Sequence, residues 1–119
     1  MILVDSSVWV GHFRQADPRL LALLNADEVL CHPVVIGEIA VGNLRNRVGV
    51  LSDLATLPSA ILGTHEDVME LIERRQLYGT GVGYNDAHLL ASALLTPSAH
   101  LWTQDARFAA AASRLGVLD

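Results

Sequence analysis

A chain of 119 residues that is 51% hydrophobic can bury a proper core, which excludes a disordered polymer and fits one domain over residues 1–119. Its single cysteine, Cys31, excludes an internal disulfide, no apolar run reaches the ~20 residues of a membrane span, and no basic leader precedes Asp5, so a cytoplasmic protein is expected. The formal net charge of −5 speaks against a broadly basic nucleic-acid surface, but carboxylates that hold divalent cations lose their sign on loading. All eight basic residues are arginine, which suits phosphate forks, although a compositional bias of the genome explains this equally well.

Ile2-Leu3-Val4 is a short apolar run of the kind buried on both faces of a parallel sheet. It ends at Asp5, the carboxyl end of a strand, where open α/β sheets place their ligands. Val8, Trp9 and Val10 continue as a helix, and Asp17-Pro18 starts a second through Leu24. Glu28 to Cys31 reads as a strand. A third helix is expected from Val34 to about Arg47, its basic end matching the helix dipole, and a fourth from Val50 to Leu57, stopped by Pro58. Ala60-Ile61-Leu62 reads as a strand, and Thr64-His65-Glu66-Asp67 opens a fifth helix running to about Leu77.

Tyr78-Gly79-Thr80-Gly81-Val82-Gly83 interrupts regular structure. It is not a dinucleotide loop, because such a loop follows a strand and opens the first βαβ unit, whereas this one follows a helix. A sixth helix spans Asn85 to Leu95, a strand Ala99 to Thr103, and an alanine-rich seventh helix follows Asp105; Gly116-Val117-Leu118 adds an edge strand. Strands alternating with helices predict an α/β fold around a mostly parallel sheet of four to five strands.

Four carboxylates stand out. Asp5 and Asp105 follow strands, Asp86 opens a helix, and Glu38 sits in the apolar run Val34 to Val41. Taken singly, Asp5, Asp86 and Asp105 are ordinary helix caps and Glu38 an outward-facing charge. Converged, like charges ~4 Å apart repel by about 4 kcal/mol per pair at an effective dielectric of 20, so the cluster needs protons or a metal. An oxygen-only donor set favours Mg²⁺ or Mn²⁺, ions that activate water for attack on phosphorus.

Val4-Asp5-Ser6-Ser7-Val8-Trp9, Glu38 in its helix, Asp86-Ala87-His88-Leu89-Leu90-Ala91 and Thr103-Gln104-Asp105-Ala106-Arg107-Phe108 occur in this order across nearly the whole chain. In these pieces the sequence resembles PIN-domain ribonucleases, and among them the VapC-type toxins of toxin–antitoxin pairs. The resemblance implies a three-layer α/β/α domain in which Asp5, Glu38, Asp86 and Asp105 hold one or two Mg²⁺ or Mn²⁺ ions. It implies RNA cleavage leaving a 5′-phosphate and a 3′-hydroxyl, with Ser7 and Thr103 orienting the carboxylates. It also implies a homodimer and a cognate VapB-type antitoxin whose peptide occupies the groove.

Other residues have plainer readings. His12 and His88 are expected to be structural or at the surface, Arg14 at a solvated helix end, and Arg74-Arg75 on a face shared with Glu70 and Glu73. Trp9 and Trp102 belong with the core, and Cys31 is a small hydrophobe. An aspartyl-phosphatase of the haloacid-dehalogenase kind needs a second Asp where Ser7 stands, and both it and a receiver domain need a lysine, which this chain lacks. The rival of another class is a non-catalytic PIN-like module that engages RNA or a protein.

Overall fold

A computed structural model describes all 119 residues. The elements are β1 (Ile2–Val4), α1 (Ser6–Arg14), α2 (Pro18–Asn25), β2 (Val29–Leu30), α3 (Pro33–Ala40), α4 (Arg47–Ala55), α5 (His65–Arg74), α6 (Tyr84–Leu95), β3 (His100–Trp102) and α7 (Ala106–Arg114). The strands form one parallel sheet in the order β2-β1-β3, with Ile2 opposite both Val29 and His100 and Val4 opposite Trp102. Helices cover it in an α/β/α arrangement. The centre of the sheet is dry because Leu3 and Val4 have no exposed surface, the state expected of a strand covered on both faces. No helix is long and apolar enough to cross a membrane.

The chain moves from β1 to β2 on one side and returns to β3 on the other. The carboxyl ends of β1 and β3 therefore border a point where the strand order reverses, the standard location of a binding crevice in open α/β sheets. The ladder extends one residue past the strands there, with the Asp5 N–H donating to the Trp102 carbonyl at 2.9 Å.

The ladder has three strands where four to five were expected, because both outer segments pair through single bridges, Cys31 with Ser59 and Leu101 with Leu118. Ala60-Ile61-Leu62 forms no strand: Ala60 still donates to the Cys31 carbonyl, but the Ile61 N–H turns away to Thr96 Oγ1 at 2.8 Å. At the other edge Leu101 exchanges bonds with Val117 and Asp119 only.

The helix expected from Val34 to about Arg47 ends at Ala40, and the one expected from Val50 to Leu57 runs from Arg47 to Ala55. Beyond Ile39, Val41 stands 90% exposed, the chain turns at Gly42, Leu44 packs against the core from an irregular segment, and Asn46 starts α4 from a left-handed conformation. Arg47 consequently opens α4 instead of ending α3. The fifth helix stops at Arg74, short of Leu77. Gln76 is left-handed (φ 54°) and the Leu77 N–H bonds back to the Ile72 carbonyl, a Schellman closure that returns Leu77 to the core.

Helix starts follow local chemistry. Asp17 accepts from the Arg19 and Leu20 amides behind Pro18, and Thr64 and Asp67 form a reciprocal capping box. On α7, Phe108 is 1% exposed and anchors the helix to the main core. Phe108→Ala should cost about 3–5 kcal/mol in urea unfolding; a loss under about 1 kcal/mol would mean that α7 is not part of the cooperative core.

Candidate active site

Asp5 occupies the N-cap position of α1, yet its side chain caps nothing. It is 4% exposed, and its Oδ2 accepts two hydroxyl hydrogen bonds, from Ser7 Oγ at 2.7 Å and Thr103 Oγ1 at 2.8 Å. Each hydroxyl has one proton and directs it at Asp5, so the 3.3 Å approach of Ser7 Oγ to Thr103 Oγ1 is a contact between lone pairs. The same two oxygens accept backbone N–H groups, Ser7 Oγ from Gln104 at 3.0 Å and Thr103 Oγ1 from Asp105 at 3.1 Å. Amide, hydroxyl and carboxylate thus form two short relays that tie the end of β1 to the loop after β3. A carboxylate so held is oriented by its neighbours and is not part of a helix cap.

Glu38 is carried by α3, which begins at a histidine. His32 Nδ1 accepts the Val34 N–H at 3.0 Å and Pro33 occupies the first turn, where a missing N–H costs nothing. From there the helix packs along α1, and Ser6 Oγ reaches Glu38 Oε1 at 3.3 Å. Burial raises the Glu38 pKa above its ordinary value; the charge of Asp5 and then that of Asp86 add to the rise, while Ser6 and the Asn85 side chain oppose it. Burial also raises Asp86, against the Gly83 amide its carboxylate accepts, and Asp5 and Asp105 push in the same upward direction. Asp105 is exposed and does cap its helix, with Oδ1 accepting from the Arg107 and Phe108 amides.

The four carboxylates therefore share one electrostatic neighbourhood at the carboxyl edge of the sheet. No three His, Cys, Asp or Glu side chains are spaced to grip a single ion as they stand. The donor chemistry nonetheless fits a hard divalent cation: oxygen ligands, burial and then like charge that lift two of the pKa values, and a buried carboxylate with no cationic partner.

Ser6 and Asn85 join this region, and His32 caps the helix that carries Glu38, without having been singled out in the sequence. Each adjoins a recognisable feature (Asp5, Asp86 and Pro33), but adjacency along a chain does not say which way a side chain faces. His12 is structural, its Nδ1 accepting the Asp17 N–H at 2.9 Å ahead of α2. His88 packs edge-on against Tyr84 and lies beside His32. Trp9 is core, and Arg19 covers the Trp102 ring at 4.4 Å. Arg74 pairs with Glu70 at helical spacing, and burial raises the Cys31 thiol pKa, as befits an inert buried residue.

These shifts fix the sign of a pH dependence. Folded Glu38 and Asp86 hold protons at pH values where the unfolded chain has released them. Their contribution to stability is full below the ordinary values of 4.5 and 3.8 and is lost as pH rises through the raised values. His32 works oppositely: burial and then His88 lower it to about 4 from 6.5, so its contribution is lost as pH falls through about 4. In chelator, Glu38→Gln should flatten the decline of melting temperature on the alkaline side of the carboxyl range; an unchanged profile would show that Glu38 carries no such strain.

The sequence profile of the PIN domain matches residues 2–113. Proteins named Ribonuclease VapC32, from two strains of Mycobacterium tuberculosis, are 50% identical to this chain over 117 residues, covering 98% of it and 94% of their own length.

Proposed function

Because the chain belongs to the PIN-domain family, we propose that it is a metal-dependent endoribonuclease, a toxin held in check by a cognate VapB-type antitoxin. It works as a single domain over residues 1–119, as a homodimer in the cytoplasm. The observation that carries this reading is Asp5: a buried carboxylate at the strand-order reversal, fixed by two hydroxyls and acting electrostatically on Glu38 and on Asp86, on which Asp105 also acts.

In this reading the four carboxylates hold one or two Mg²⁺ or Mn²⁺ ions. A divalent ion bound there supplies charge neutralisation and water activation for attack on phosphorus. The chain's own part is positional. Ser7 and Thr103 keep Asp5 aimed into the crevice, α3 and Ser6 present Glu38 from one side, and the start of α6 presents Asp86 from another. The oxygen of water adds to phosphorus, the P–O3′ bond breaks, and the 3′ oxygen leaves with a proton, giving 5′-phosphate and 3′-hydroxyl ends. No side chain has to act as a covalent nucleophile.

The test is cleavage of total, transfer and messenger RNA by antitoxin-free protein in Mg²⁺, in Mn²⁺ and in chelator, beside Asp5→Asn. Cleavage that needs both metal and Asp5 supports the proposal. Ion binding without cleavage of any RNA would favour the non-catalytic binding module, a reading that draws on the open spacing of the carboxylates.

The hydroxyl pair makes a finer prediction. Ser7→Ala and Thr103→Val each remove one of the two donors to Asp5 and strand one amide, that of Gln104 or of Asp105, and each should lower kcat about tenfold. The double variant should lose less than the product of the two, since both act on one oxygen atom. Strictly multiplicative losses would mean that the hydroxyls act separately.

A further inference from the structure

The glycine-rich stretch before α6 is an ordered loop with a side chain laid across it. Thr80 Oγ1 donates to the Leu77 carbonyl at 2.6 Å and accepts the Val82 N–H at 3.4 Å, while Gly79 and Gly81 have φ of 73° and 87°. A Cβ at Gly81 would stand 2.5 Å from Cδ, 2.9 Å from Nη1 and 3.3 Å from Nε of Arg107. The absent side chain of Gly81 is the trough in which the arginine lies. At its other end Arg107 is anchored by its own amide, which donates to Asp105 Oδ1 at 2.9 Å. Arg107 therefore spans the gap between the loop that leads to Asp86 and the turn that presents Asp105.

The guanidinium there is free. Arg19 pairs with Asp119 and Arg74 with Glu70, but Arg107 has no carboxylate within 4.0 Å and is exposed. A polyanionic strand approaching four carboxylates on a chain of net charge −5 needs a local cation, and an arginine fork matches a phosphate in shape as well as sign.

We propose that Arg107, seated in the trough at Gly81, is a substrate-positioning residue that grips an RNA phosphate beside the scissile one. The inference rests on the ribonuclease reading and adds the residue that orients the strand. Gly81 serves it by leaving room, a task beyond the break in regular structure that the glycines suggest in sequence.

The test is binding of a fluorescein-labelled random-sequence 12-nucleotide RNA to the Asp5→Asn protein over roughly 50–200 mM salt. Adding Arg107→Ala should weaken binding about five- to tenfold at the lowest salt and reduce the slope of log K against log salt by about 0.7, one single-strand phosphate. Arg107→Lys should keep the slope and recover part of the affinity. Gly81→Ala should reproduce the loss, whereas Gly79→Ala, equally left-handed but with nothing within 4 Å, should not. A merely structural Arg107 would lower the melting temperature and leave the salt slope alone. If unsubstituted protein cleaves RNA while Arg107→Ala leaves affinity and slope unchanged, this inference falls and the ribonuclease stands. If the Asp5→Asn protein does not bind RNA and unsubstituted protein cleaves none, both fall.

Discussion

Replacing Asp5 by Asn is expected to reduce RNA cleavage by about 10²–10³-fold or more, the scale set by losing one group that stabilises a charged transition state, without unfolding the protein. The reason is local. The Asn oxygen can take the place of Oδ2 and keep accepting from Ser7 and Thr103, so both relays to the loop after β3 survive. What disappears is a buried negative charge, and with it one ligand and one source of repulsion for Glu38 and Asp86. Melting in chelator should therefore match or exceed that of the unsubstituted protein. Cleavage within a factor of two of normal, by a folded Asp5→Asn protein, would remove Asp5 from the chemistry.

Glu38→Gln should invert the order of stability with and without metal. In chelator near neutral pH the Glu38 carboxylate is half-buried among like charges, and the amide relieves this while its oxygen can still accept from Ser6. The variant should then melt above the unsubstituted protein, and the difference should vanish below the carboxyl range, where Glu38 is neutral anyway. With Mn²⁺ at a hundred times Kd the unsubstituted protein gains about 2.7 kcal/mol by mass action, a gain the variant largely forgoes because it offers a weaker ligand. Cleavage should drop about 10²-fold. A variant less stable than the parent in chelator would mean that the Ser6 contact and packing outweigh the repulsion, and that the carboxylate is part of the scaffold.

Much of the molecule was readable from local pattern. Ile2-Leu3-Val4 could only be a buried strand, Asp17-Pro18 and Thr64 with Asp67 marked helix starts, and Gly79 and Gly81 marked a break. These depend on residues within a few positions of one another, where backbone propensity and capping chemistry decide. Asp5 and Asp105 were legible as ends of strands for the same reason, and the cap reading of Asp105 and the non-cap state of Asp5 were both within reach as alternatives.

Where local pattern misled, a long-range competitor was responsible. Ala60-Ile61-Leu62 has strand composition, but the hydroxyl of Thr96, distant in sequence, takes the Ile61 amide and ends the pairing. The helix from Val34 stops at Ala40, where Val41 comes to face solvent and the chain turns at Gly42, so that Leu44 meets the core from an irregular segment.

By itself, then, the sequence determined the strand and helix alternation, the family resemblance and the identity of four carboxylates, since composition and short spacing carry that information. Only the tertiary structure decided that Ser7 and Thr103 share one oxygen of Asp5, that Ser6 reaches Glu38, and that Arg107 lies over Gly81. Thr103 is 98 residues from Asp5 along the chain, and it meets the carboxylate because β1 and β3 pair in parallel with Val4 opposite Trp102. A shift of one residue in that register would turn the hydroxyl to the other face of the sheet.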